Sequence, residues 1–227
     1  MAIVRVGRSK RTHDFAVYEK LIRQSSAFMN AALKEPWKEP SERVVCLPDF
    51  TSKTFDVYHL WLLTSELHSK DEPAVDSDRA HAVSELFHEL LRLQGLSQLG
   101  HYLLDNAFTD TVCDAILQCS QDLQSIGSRY PVRYGALFFK RLPEGSLTRS
   151  MIANLVAWTT TYLDVKDHND RYSHMAQLDY PSAVLEAMAR KFLSQGSSIS
   201  PLREPKMSCK YHSHGDKELC YRKKGTE

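Results

Sequence analysis

SAFMNAALKEPWKEPSERVVCLPDF, residues 26–50, changes character three times. Ser26 is a good helix N-cap, and Phe28, Met29, Ala32 and Leu33 follow at helical spacing. Pro36 ends that helix, because a proline disfavours helical backbone in the residue before it. A charged, Trp-containing knot comes next, and then the β-branched run Arg43 to Leu47, which reads as a short strand closed by Pro48. No piece of the stretch offers an obvious nucleophile, metal cage or phosphate cradle. Its specificity is spent on shape.

The flanking sequence extends this pattern. Ile3-Val4-Arg5-Val6 and Asp14-Phe15-Ala16-Val17-Tyr18 surround a basic turn and predict a hairpin. From Lys20 to Leu33 the period is helical, with a split at Ser25-Ser26. Asp49, Thr51 and Ser52 supply caps for TSKTFDVYHLWLLTSEL, residues 51–67. That helix is apolar on nearly every side, which predicts a place in the middle of the core. Phe28, Met29 and Ala32 are expected to pack beneath it. Val83, Leu86, Phe87, Leu90 and Leu91 form a clear amphipathic stripe that Gly95 is expected to close. Further helices are predicted at Ser97–Ala107 and Asp110–Leu123.

Residues 124–145, with Gly, Pro and Ser around YGALFF, read as a linker. Beyond it, one helix carries Leu147, Met151, Leu155, Trp158 and Tyr162. Another carries Val184, Leu185, Met188 and Phe192. The chain thus divides into 1–123, the linker 124–145, a helical extension 146–195 and a flexible basic tail 196–227.

Composition narrows the function. The 227 residues are 42% hydrophobic and 25% charged with a net charge of +1, so the chain as a whole is not an electrostatic nucleic-acid binder. The longest uncharged run, Ser150 to Leu163, is shorter than the ~20 apolar residues of a membrane span. Five scattered cysteines and no export signal ahead of Arg5 predict reduced thiols in the cytoplasm or nucleus. Cys113 and Cys119 read as small buried hydrophobes, and His88 and His101 as structural histidines beside apolar stripes. No Walker, dinucleotide, HExxH, EF-hand or nucleophile-elbow motif occurs, so no catalytic residue is expected.

The tail holds the one constellation with chemistry. Cys209, His212, His214 and Cys220 place two thiols and two imidazoles within twelve residues, a donor set that suits tetrahedral zinc. A metal would supply the order that a polar stretch cannot draw from a core. The same composition also describes a mobile tail whose Lys210, Lys217, Arg222, Lys223 and Lys224 form solvated surface or touch phosphate.

Taken together, FAVYEKLI (15–22), SSAFMNAAL (25–33), WKE (37–39), VVCLPD (44–49), FDVYHLWL (55–62) and LLRLQGLSQLGHYLLDNAF (90–108) resemble the BTB/POZ domain. They stand closest to the large group of such proteins in filamentous fungi. The resemblance covers residues 3–120. It implies an α+β fold, a small sheet capped by helices, followed by a helical extension. It implies a protein–protein interaction module that self-associates as a homodimer or docks a partner. One role in this family is substrate adaptor in a ubiquitin ligase complex, gripping a cullin scaffold, and Leu147–Tyr162 would enlarge that contact. Expected surfaces are the exposed face of Leu21–Leu33 and the region Ser65–His68. Ile3-Val4-Arg5-Val6 carries no acidic residue, so the charged corepressor groove of some animal members is not implied. An alternative from another class is a nucleic-acid-associated transcription regulator with a zinc-binding tail.

Overall fold

A computed structural model describes residues 1–8, 11–34, 44–70, 78–160, 180–193, 200–203, 209–214 and 220–223. The chain is mixed α+β and divides into two compact units. The first comprises Met1–Lys70, Gly95–Val112 and Ser213–Glu227; the second comprises Asp71–Gln94 and Cys113–His212. The Trp37-Lys38-Glu39 turn, Tyr162 and residues 194–199 lie outside the described residues.

The first unit is built on a three-stranded sheet. Strands β1 (Ala2–Val6) and β2 (His13–Val17) pair antiparallel, and β3 (Val44–Leu47) runs parallel to β1, in the order β2-β1-β3. Period-two alternation buries Ala2, Val4 and Val6 while Arg5 stays in water. There Arg5 forks across to Asp14, its direct partner on β2, with two bonds of 2.7 Å. Gly7 turns the chain at φ 102°, a conformation and a space that exclude a side chain: a Cβ would stand 2.3 Å from the Arg11 carbonyl.

Helices α1 (Glu19–Ser25) and α2 (Ala27–Ala32) meet at Ser26, whose extended backbone breaks the run. Its Oγ accepts the Met29 amide at 3.0 Å and donates to the Leu103 carbonyl at 2.5 Å, so one hydroxyl caps α2 and ties it to the next layer. Met29 is fully buried. Phe28 packs on Tyr102, ring centres 5.0 Å apart, and not beneath the helix at 55–63 as the sequence suggested.

Helix α3 (Ser52–Thr64) starts at Thr51, whose Oγ1 accepts the Thr54 amide at 3.2 Å, and stops at Ser65 with φ 60°. It corrects the expectation of all-round burial. Phe55, Tyr58 and Trp61 form the buried stripe, whereas Leu60 and Leu63 are 40% and 49% exposed. The other large apolar residues of α3 are spaced to leave that pair on a face of its own, three positions apart.

Helix α4 (Arg79–Leu103) runs straight through Gly95, which does not close it. Gly95 lies against the Thr54 side chain, and packing there offsets the roughly 1 kcal/mol that glycine costs a helix interior. The true break is Leu104, at φ 54°, before α5 (Asn106–Ser125). Asp105 then caps α5 through the Phe108 amide at 3.0 Å. Its other oxygen accepts from the Tyr58 hydroxyl at 2.9 Å and from Ser25 Oγ. Phe108 closes the cluster, 4.8 Å from Tyr58 and 5.0 Å from Trp61 between ring centres.

The second unit is helical. The stretch expected as a linker contains α6 (Val132–Arg141), with Phe138 and Phe139 buried among its apolar face. Pro131, Pro143, Gly127 and Gly145 lie outside the helix, and Gly135 within it is buried. Helix α7 (Leu147–Thr159) is capped by Ser146 and buries Met151, Ile152, Leu155 and Val156. On α8 (Tyr180–Leu193) Val184 and Ala187 are buried. Leu185 and Phe192 are 63% and 79% exposed, because the covered face follows 184, 187 and 191. Lys191 spans to α7, lying 4.7 Å from the Trp158 ring centre and donating to the Ala157 carbonyl at 3.2 Å. Cys113 and Cys119 are buried, as expected. The Cys113 sulfur lies 3.2 Å from Thr148 Oγ1, and the Cys119 thiol points to the Leu86 carbonyl at 3.4 Å. Among the described residues no helix is long and apolar enough to cross a membrane.

Candidate functional site

The four tail residues singled out by composition come together. A turn bonds the His212 amide to the Cys209 carbonyl at 3.0 Å, which folds residues 209–212 back on themselves. The ligand atoms of Cys209, His212, His214 and Cys220 all lie within 4.8 Å of one another. Zinc bonds of ~2.3 Å to sulfur and ~2.0–2.1 Å to nitrogen set tetrahedral ligand atoms about 3.3–3.8 Å apart, so closure needs shifts of only about 1 Å.

The described part of this segment is packed, which corrects the reading of a free tail. Tyr211, His212 and Cys220 are buried, and of the four donor residues Cys209 is the exposed one. Tyr211 accepts a hydrogen bond from Asn154 on α7 at 3.3 Å, and Lys210 lies over its ring. The His212 ring Nε2 lies 3.1 Å from Asp114 Oδ1. The next residue's amide, Ser213 N–H, donates to Asp110 Oδ1 at 2.5 Å. Asp110 and Asp114 are one helical turn apart on α5.

The Asp114 contact decides what His212 can do. A proton held on Nε2 by the carboxylate leaves Nδ1 with its lone pair, the form in which imidazole binds metal. Oriented histidine, a carboxylate behind it and two thiols form a soft, closed donor set. That set fits a structural zinc ion and leaves no open position for catalysis. Sequence reasoning picked out the four residues whose donor atoms converge and missed both aspartates, which lie about a hundred residues away and carry no local signal.

A second feature lies within the first unit, a cleft of ≈ 530 Å³. Leu21 and Gln24 of α1 form one wall, Trp61 and Leu62 of α3 another, and Tyr221 with Arg222 a third. Ser65, from the second surface expected to bind, lines it too. The Trp61 indole N–H is buried and has no hydrogen-bond partner among the described residues. Nearby, Asp105 is 1% exposed, and burial together with its charge pushes the Tyr58 phenol well above its ordinary value of 10.0. His101 is pushed below 6.5 by burial.

No family model, no curated protein and no solved structure matches this chain.

Proposed function

We propose that this chain is a protein–protein interaction module of the BTB/POZ type. The order of hairpin, helix pair, third strand parallel to the first, and α3 supports that assignment as a fold-level analogy. The observation that carries the function is the pair Leu60 and Leu63, exposed together on a helix whose other stripe is buried. Apolar surface of this kind marks sites where another protein docks. The partner is a second copy of the chain or, in the adaptor version, a cullin scaffold. The proposal assigns no reaction.

Light scattering of the purified chain, with and without a cullin scaffold at micromolar concentration, tests it. A dimer or a complex is expected, and L60K/L63K should abolish it while leaving the melting curve in place. A chain that stays monomeric and ignores the scaffold ends both versions.

The converging tail ligands favour a second reading, in which zinc at Cys209, His212, His214 and Cys220 fixes the C-terminal segment. Elemental analysis should find one zinc per chain; its absence would remove the reading. If the segment then served nucleic acid, binding would weaken steeply with salt.

A further inference from the structure

We infer that Cys209 and Cys220 are a peroxide-reactive pair: a hydroperoxide, attacked first by Cys209, joins the two sulfurs as a disulfide and expels the metal they hold. That chemistry rests on the zinc reading and adds what the site responds to.

Proximity carries the chemistry. The sulfurs of Cys209 and Cys220 lie within 4.8 Å of each other, together with ring nitrogens of His212 and His214. Tetrahedral zinc would set the two sulfurs about 3.8 Å apart. A disulfide needs about 2.05 Å, so the approach that closes the metal site, continued by roughly 2 Å, closes the bond. The reaction asks for no vacant sulfur. A thiolate that ligates zinc or accepts a hydrogen bond keeps lone pairs with which to attack.

The two thiols are placed differently, and their placing assigns the roles. Cys209 is exposed, whereas Cys220 is 6% exposed. Zinc would hold both as thiolates, the form that attacks a peroxide. With hydrogen peroxide, the Cys209 sulfur attacks one oxygen and the O–O bond breaks. A sulfenic acid forms, and the hydroxide that leaves takes up a proton. The Cys220 thiolate then attacks the sulfenic sulfur; the S–O bond breaks, and a second hydroxide leaves and is protonated. Two electrons pass from the sulfurs to the peroxide, which with two protons becomes two waters. A disulfide sulfur offers no thiolate charge, so the ion is left with two imidazoles and departs. Ten residues separate the cysteines, so the disulfide closes a short loop in place of the ion. The segment exchanges one cross-link for another and gives up the metal's hold on His212 and His214.

The test adds one equivalent of hydrogen peroxide to the full chain after its zinc content has been counted. A chromophoric chelator follows released zinc, and peptide mass mapping locates the oxidised sulfurs. One zinc released per Cys209–Cys220 disulfide is expected, and a dithiol reductant with added zinc should restore the starting protein. C46S, which removes the other exposed thiol, should change neither number. A cyclic diketone present during the reaction tags sulfenic acids as they form. Residue 209 should carry about tenfold or more of the tag found on residue 220, as exposure dictates. Zinc held through the treatment, zinc released without that disulfide, or a tag shared equally by the two residues would each overturn the inference. A chain that binds no zinc before peroxide is added removes the zinc reading itself, and the switch falls with it; the first count tells the two failures apart.

Discussion

Asp114 and His212 are 98 positions apart and meet at 3.1 Å between carboxylate oxygen and ring nitrogen. That contact orients an imidazole before any ion arrives. Replacing Asp114 by Ala should lower zinc affinity about 10–100-fold, the usual effect of losing a carboxylate behind a metal-binding histidine. Asp114→Asn, which can still accept from the ring N–H, should lose less. Competition against a chromophoric chelator gives both numbers. Equal affinities in all three proteins would show that Asp114 plays no part in orienting the ligand.

Removing the metal should loosen the segment. With free zinc at a hundred times Kd, binding contributes about 2.7 kcal/mol. For a chain of this length that corresponds to a melting point about 5–10 °C higher. Cys220→Ser should erase the zinc-dependent part of the melt. Hydrogen exchange at residues 209–214 and 220–223 should rise on chelation and stay unchanged elsewhere in α6 and α7.

Two buried groups set opposite pH limits. Tyr58 is held neutral in the folded chain, so its contribution is intact below 10.0 and falls as pH rises past that value, where the unfolded chain ionises first. His101 is held below 6.5 by burial, so stability falls as pH drops through 6.5, where the unfolded chain takes up the proton first. Urea titrations across pH should show an alkaline loss that Tyr58→Phe reduces and an acid loss that His101→Asn reduces. At neutral pH Tyr58→Phe should cost about 1 kcal/mol for the bond to Asp105.

Helix α6 gives a sharp contrast between neighbours. Phe138 is fully buried, and Phe138→Ala should cost about 3–5 kcal/mol. Lys140, exposed two residues on, should tolerate Ala within about 0.5 kcal/mol. Chemical denaturation would measure both. A mild Phe138→Ala would mean that residues 132–141 behave as a connector after all.

The sequence announced whatever was local. Ser26 and Thr51 were legible as caps because a hydroxyl before a helix has one obvious use, and both make that bond. The hairpin followed from alternation on either side of a polar turn. What escaped depended on neighbours distant in the chain. Gly95 looked like a terminator until Thr54 packed against it. Residues 132–141 looked like a connector because their flanks carry the turn formers. Leu60 and Leu63 looked buried because a run of apolar residues does not say which face meets the core. The converging Cys and His residues could be read because they sit within twelve residues of each other. The aspartates behind them could not, since nothing in their own surroundings marks them.

Gly100 packs so close to α5 that a methyl group there would stand 2.7 Å from Thr109 Oγ1 and 3.1 Å from the Phe108 ring. Thr109 has no freedom to retreat, since its hydroxyl donates to the Asp105 carbonyl at 2.8 Å. The two positions therefore share a single allowance of volume. In any lineage that keeps this corner, alanine or serine at 100 should be accompanied by glycine or alanine at 109. That paired drift would serve as a signature by which distant relatives could be recognised after every other motif has been erased.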